Sequence, residues 1–535
     1  MLHTKTVLVV DDSHIIQQTT KAVLLKAGFT SSQIYTASNA ADGLLLCKAN
    51  TIDILLLDFN LGNGQSGLQL LEQLHRLRLL DHHPLVLIIT ADDSLPIVMA
   101  FAEFEPDDYL IKPLRQDILQ QRLRINFSQQ ELNNTVWQAY RTHTVTGAKH
   151  ALQQASSEKS FRLAITHLCK RLARNDMSEA AISILTSVTQ QHNYLPAKLL
   201  LAELLHRTGQ NIPACKLIND MLKIHPRHIK VLDLAARTYF ANQHFKQGYE
   251  AWVQAHQLSH YNFERVFGLL LIELALFSER GHIDKIVRDG SRLLPSSMWD
   301  NNDRRCLLAW GMLQQPNKSH YSLEKLWCGI SQKQGIMTSE RPFLQLLNAW
   351  QKIQQGHTLM AFKQLKNIHQ NHETKYSYGF QFILFNIYQQ LGMRTAMRQT
   401  LAKAALLCTQ ETYGSHRAIK YQWIKEYRYL LTEDTEYHNA LRCYEHSPKQ
   451  ATSAILKAWQ HNRFDIMLAY SLINLYCDNL IELNQATRET FIQARWVFES
   501  LPQRPAWYSQ LQDTNSILQT PVQTMTTQAK GQITV

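Results

Sequence analysis

Four short apolar runs lie within the first 112 residues: Val7 to Val10, Ile54 to Leu57, Leu85 to Ile89 and Tyr109 to Ile111. Each stops at side chains that carry charge or a hydroxyl, namely Asp11 and Asp12, Asp58, Thr90, and Lys112 followed by Pro113. Helical patterns separate the runs, so residues 6 to 125 are constrained to an α/β fold with a parallel sheet covered on both faces. Five strands and five helices are expected, the helices running roughly His14–Ala27, Ala40–Lys48, Gly67–Leu80, Ser94–Phe104 and Leu114–Ile125. Open sheets of this type place their ligands beyond the carboxyl ends of the strands, where all of these polar residues fall.

Three carboxylates gathered at one sheet edge repel one another by about 4 kcal/mol per pair at ~4 Å and an effective dielectric near 20. A hard divalent cation resolves that conflict. Mg²⁺ suits a site made of one or two carboxylates, a backbone carbonyl, waters and phosphate oxygens. Asp12 and Asp58 are the expected ligands, with Asp11 orienting water and the backbone carbonyl of Asn60 completing the protein's share. Asp58 is then the nucleophile toward phosphorus, giving an acyl phosphate whose charge is met by Lys112 and Thr90.

These residues resemble the receiver domain of bacterial two-component response regulators: VLVVDDS for the first strand, ILLLD for the acceptor, LIITADD for the threonine strand and YLIKPL for the lysine. The resemblance spans about residues 1–125. It implies a doubly wound, five-stranded, flavodoxin-like sheet, phosphoryl transfer to Asp58 from a sensor histidine kinase, and a cis peptide before Pro113. It also implies that Thr90 and Tyr109 form the switch, Thr90 drawn toward the phosphate and Tyr109 moving into the space it leaves. Two departures stand out. The loop FNLGNGQSG after Asp58 has Gly62 where the family often has Pro and Gly67 one residue late. Glu105 and Pro106 replace the more usual small residues before Asp107.

Beyond residue 126 the strand signal ends and amphipathic helical segments recur. A 34-residue period fits 161–194, 195–228 and 229–262; the middle unit carries Leu201, Ala202, Leu205, Gly209, Ala214, Ile218 and Pro226. This resembles the tetratricopeptide repeat, in which small residues let paired helices approach, a Gly ends the first helix and a Pro sits in the turn after the second. An all-α helical-repeat solenoid is therefore expected, with degenerate repeats over 263–510. Residues 126–160 read as a linker with some helix and 511–535 as a loose tail.

The eight cysteines are scattered without CxxC or His/Cys clusters, so reduced thiols are expected rather than disulfides or a zinc site. No apolar stretch is long enough to span a membrane and no leader pattern opens the chain, from which a cytoplasmic protein is expected, without membrane insertion. The net charge of +11 is unevenly shared: residues 1–125 hold ten Lys/Arg against fourteen Asp/Glu, net −4, which leaves +15 on the rest. No recognition-helix, nucleotide-loop, HxxE or cyclic-dinucleotide motif suggests an output enzyme. A protein partner bound by the repeat-like region is the leading expectation. The alternatives are nucleic-acid binding through charges such as Lys223, Arg227, Lys230, Arg304 and Arg305, and a phosphate-sink receiver on a constitutive scaffold. The segment ITHLCKRL around His167 has the His-then-Lys spacing of a phosphotransfer helix, but packing within the first repeat accounts for it more simply. Trp252 and Trp350 likewise read as packing residues.

Overall fold

A computed structural model describes residues 5–62, 64–91, 95–276, 282–295, 297–314, 322–332, 334–370, 377–433, 435–482 and 484–499. The chain divides into two compact units, residues 1–273 with 288–300, and residues 274–287 with 301–535.

The first unit opens with β1 (Val7–Val10), α1 (His14–Lys26), β2 (Ile34–Ala37), α2 (Ala40–Ala49), β3 (Ile54–Leu57), α3 (Gly67–Arg76), β4 (Leu85–Thr90), α4 (Leu95–Ala102) and β5 (Asp108–Ile111). The strands form one parallel sheet in the order β2-β1-β3-β4-β5, with Val10 in register with Leu57 and Thr90 with Ile111. Because successive side chains alternate across a strand, Val7, Val9, Ile54, Leu56, Leu85 and Leu87 build one core with Leu24 of α1. Leu8, Val10, Leu55, Leu57, Val86 and Ile88 build the other with α2, α3 and α4. The doubly covered sheet expected from the continuous apolar runs is what forms.

The fifth helix differs from its expected end at Ile125. α5 runs Gln116–Leu152, with non-helical geometry only at His143 and Thr144. Val136 and Trp137 are buried against Leu168, Cys169 and Leu172, so most of the stretch expected to be a linker is held as helix by tertiary packing that its polar sequence does not announce.

Next come α6 (Glu158–Arg174), α7 (Ser178–Gln191), α8 (Leu195–Arg207), α9 (Asn211–Ile224), α10 (Ile229–Ala241), α11 (Phe245–Leu258) and α12 (Phe263–Ala275), then the part of α13 (Ile283–Leu293) from Arg288 onward. Each 34-residue window from the sequence thus holds one helix pair. Asp176, Gly209 and Gln243 occupy equivalent positions between the paired helices, all with φ of 60–79°. The following N–H bonds back to the last turn in each: Met177 to Leu172 at 3.0 Å, Gln210 to Leu205 at 2.8 Å, and His244 to Tyr239 at 2.8 Å. This is the Schellman closure, which satisfies helix-end carbonyls with one left-handed residue. Ala202, Ala214, Ala235, Ala236 and Ala255 are wholly buried, as close helix approach requires.

The second unit repeats the device. Arg341–Gln354 turns into Thr358–Gln370 at Gly356, and Tyr378–Leu391 turns into Arg394–Cys408 at Gly392, again with positive φ and the same back-bond. Trp310 and Trp350 stack edge to face at 5.3 Å and Trp252 meets Phe240 at 4.7 Å, so these three tryptophans are packing residues. All eight cysteines are free thiols. Among the described residues no helix is long and apolar enough to cross a membrane. The tail at 511–535 lies outside the described residues.

Candidate functional site

Parallel pairing of β1, β3, β4 and β5 brings Asp11, Asp12, Asp58, Thr90 and Lys112 to one edge of the sheet. Asp11, Asp58 and Thr90 are buried there, while Asp12 and Asn60 are exposed. The oxygens of Asp11, Asp12 and Asp58 lie within 4.8 Å of one another. Lys112 Nζ donates to Asp11 Oδ2 at 2.6 Å and to Asp58 Oδ2 at 2.7 Å, so one ammonium offsets part of the repulsion. The Phe59 backbone N–H donates to Asp58 Oδ1 at 2.7 Å and the Ser13 N–H to Asp11 Oδ1 at 3.0 Å.

Burial raises the Asp58 pKa, opposed by Lys112 and assisted by the neighbouring Asp11 charge. Lys112, which burial alone would lower, is raised by its hydrogen bonds to Asp11 and Asp58. An acidic pocket of three carboxylates with an exposed Asp12 fits a hard divalent cation, the Mg²⁺ that receiver domains typically bind. The backbone at Lys112–Pro113 is cis, as expected.

Tyr109 points inward, its hydroxyl donating to the Val98 carbonyl at 3.2 Å and its ring edge to face with Phe101 at 6.0 Å. Phe101 meets Phe59 at 5.9 Å, and Phe59 meets Tyr261 at 5.7 Å. An unbroken series of rings therefore runs from the expected switch residue, past the neighbour of Asp58, to the loop after α11.

Several residues that matter here were not apparent in the sequence. Gln17 is buried in α1 and donates to the Asp11 carbonyl at 2.6 Å and to Ser38 Oγ at 3.0 Å, tying the acidic pair to the β2 end. Nothing in its polar neighbourhood singles it out. In the sequence Gly67 stands out only by its displacement. A Cβ there would lie 1.8 Å from the Asp58 carbonyl oxygen, and its N–H bonds to the Phe59 carbonyl at 2.8 Å. The late glycine is required because α3 starts against the backbone of Asp58. Gly62, with φ of 71°, faces Asp12.

The second departure, Glu105, is a docking residue. Its carboxylate pairs with both Lys170 of α6 and Lys230 of α10. Burial would raise it, but the two ammonium groups hold its pKa at about 2; Lys230 is itself lowered by burial in spite of the pairing. Nearby, Glu103 accepts from Arg265 at 3.0 Å and from Asn262 at 2.6 Å, and Arg265 also pairs with Asp233 at 2.6 Å. His83, after α3, contacts His167 at 4.8 Å, and Trp299 donates to Glu72 at 2.8 Å beneath the Arg76 guanidinium. His167 is held near pH 3 by burial and by His83 and the surrounding arginines, which suits packing and not phosphotransfer. Lys230 and Arg305 of the basic set are spent on Glu105 and on the buried Glu340 at 2.9 Å.

The family model for the response regulator receiver domain matches residues 7–124. The N-terminal domain is a response regulator receiver. The chain is 22% identical over 188 residues to the transcriptional regulatory protein AfsQ1 of Streptomyces coelicolor, covering 35% of this chain and 80% of that one. It is 26% identical over 117 residues to the chemotaxis protein CheY of Pseudomonas aeruginosa, covering 22% of this chain and 91% of that one. A solved CheY-like receiver from Methanospirillum hungatei is 27% identical, with a TM-score of 0.22, over 24% of this chain and 96% of that one. The receiver belongs to two-component signalling and implies a histidine kinase as partner.

Proposed function

We propose that this response regulator takes a phosphoryl group on Asp58 and passes the change to its own helical array, which relays it to a protein partner. A carboxylate oxygen of Asp58 attacks phosphorus of a phosphohistidine; the new O–P bond forms as the N–P bond breaks, and the imidazole leaves. Asp11, Asp12, Asp58 and the Asn60 carbonyl would hold Mg²⁺, which neutralises charge on the transferring oxygens when bound. Lys112 exchanges its bond to Asp58 for one to a phosphoryl oxygen, and Thr90 supplies a hydroxyl from the end of β4.

The observation that carries the reading is the contact between Phe59, adjacent to Asp58, and Tyr261, extended through Phe101 to Tyr109. Charge added at Asp58 alters the surroundings of residues already packed on the helical array, so an effect of about 1.4 kcal/mol at this contact would shift its populations tenfold. The helix pairs, with their tetratricopeptide-like turns, offer a surface for a peptide or helix. The phosphorylation reading is tested with Asp58→Asn in the full chain. Labelling by a small phosphodonor with Mg²⁺ is expected to disappear while the circular dichroism spectrum is retained; labelling that survives would place the acceptor elsewhere. In wild type, beryllofluoride should change hydrogen exchange at 259–262, and no change there would leave the receiver a phosphate sink.

A further inference from the structure

We propose that His256, His260 and Asp289 form a zinc site in the first unit, separate from the acidic pocket at Asp58. His256 lies in the last turn of α11 and His260 two residues past its end, beyond the extended Ser259, with the two rings 5.5 Å apart. Asp289 reaches them from α13. The three ligand atoms lie within 4.8 Å of one another, and this is the one group of metal-ligand type outside the acidic pocket among the described residues.

The hydrogen bonds favour a metal of this kind. His256 Nε2 lies 2.9 Å from Asp289 Oδ2, so a nitrogen and an oxygen donor already converge, with their side chains only 5% and 13% exposed. His260 Nδ1 donates to the His256 carbonyl at 2.7 Å. A carbonyl only accepts, so Nδ1 carries the proton and the lone pair of His260 is on Nε2. Such a bond from the second nitrogen to a carbonyl is how metal-binding imidazoles are oriented. Two imidazoles and one carboxylate suit tetrahedral Zn²⁺ with water in the fourth position, and disfavour Mg²⁺ or Ca²⁺. Arg292 competes for Asp289, but through the other oxygen at 3.6 Å, and its side chain is 53% exposed. On binding, Zn²⁺ takes the place of the proton on His256 Nε2: a neutral imidazole then carries its proton on Nδ1, and an imidazolium releases one proton to solvent.

The location gives the site a consequence. His260 directly precedes Tyr261, which touches Phe59, and Asn262, which bonds to Glu103. A metal held by the end of α11 and by α13 braces the segment that meets the receiver.

The test uses the full-length chain, stripped with a chelator, then equilibrated with Zn²⁺ in saturating Mg²⁺ and desalted, with zinc measured by mass spectrometry. Wild type should retain one more zinc per chain than His260→Ala, which should bind at least about tenfold more weakly. Asp12→Asn should retain the same zinc as wild type. His260 is partly exposed at a helix end, so its variant is expected to keep the metal-free Tm, and Zn²⁺ should raise the Tm of wild type only. Co²⁺ should give the visible absorption of a tetrahedral centre in wild type and not in the variant. Equal zinc in wild type and His260→Ala, or loss of the difference in Asp12→Asn, would overturn the proposal. Neither result depends on phosphorylation of Asp58.

Discussion

At the residue scale, the site depends on charges that are placed where they conflict. Lys112 stands between two carboxylates that are almost wholly buried, its own side chain 12% exposed. Lys112→Ala removes the shared cation and should lower stability by about 3 kcal/mol in Mg²⁺-free buffer, measured by urea unfolding, with the loss reduced when Mg²⁺ is added. Its response to beryllofluoride in hydrogen exchange should be weak even where Asp58 is labelled. Gly67 matters for a steric reason instead. Gly67→Ala drives a Cβ into the carbonyl of Asp58, so α3 or the backbone at Asp58 must move. A stability loss of about 2 kcal/mol and slower phosphorylation are expected, read by urea unfolding and labelling rate.

At the element scale, the recurring object is a pair of helices closed by one left-handed residue. Gly adopts that geometry without a Cβ penalty, whereas other residues pay about 1 kcal/mol. Gly209→Ala should therefore destabilise the chain by about 1 kcal/mol, and Gln243→Gly should stabilise it by up to about 1 kcal/mol, both measured as shifts of the urea midpoint at constant slope. Glycine is not obligatory for the turn, so the period in the first and third pairs rests on other positions. At Asp176 and Gln243 the left-handed position lacks its glycine, so the strongest local marker of the turn is missing although the turn is made. α5 is the opposite case: its strand-free, polar stretch after Ile125 is ordered by contacts with α6 that lie far along the chain.

At the scale of the whole molecule, the docking of the receiver on its helical neighbours within the first unit carries a pH signature. Burial, and then the nearby arginines, lower His83 to about 4; burial and His83 lower His167 to about 3. Both imidazoles are thus neutral in the folded protein at pH values where the unfolded chain, titrating near 6.5, takes up protons. Their contribution is fully present above about pH 6.5 and is lost as pH falls from there toward 4 and 3. His167→Gln is expected to flatten the decline of Tm between pH 6.5 and 4, and an unchanged slope would show that the His83–His167 contact is not its source.

The sequence by itself determined the receiver: strand positions, both covered faces, and the five polar residues at the strand ends. Local apolar runs and their terminating side chains are short-range information, and a parallel sheet turns them into one site without further instruction. It also determined the first three helix pairs, through alanines and a glycine at fixed spacing. Only the tertiary structure decided what Glu105, Glu103 and Phe59 do, because their partners Lys170, Lys230, Arg265 and Tyr261 lie between 65 and 202 residues away in sequence and no periodicity links them. The same holds for His256, His260 and Asp289, whose spacing of 33 residues from His256 to Asp289 carries no motif until two helices bring the donors together. Pattern reaches as far as one element and its neighbours; charge pairing across the fold depends on which surfaces close on each other.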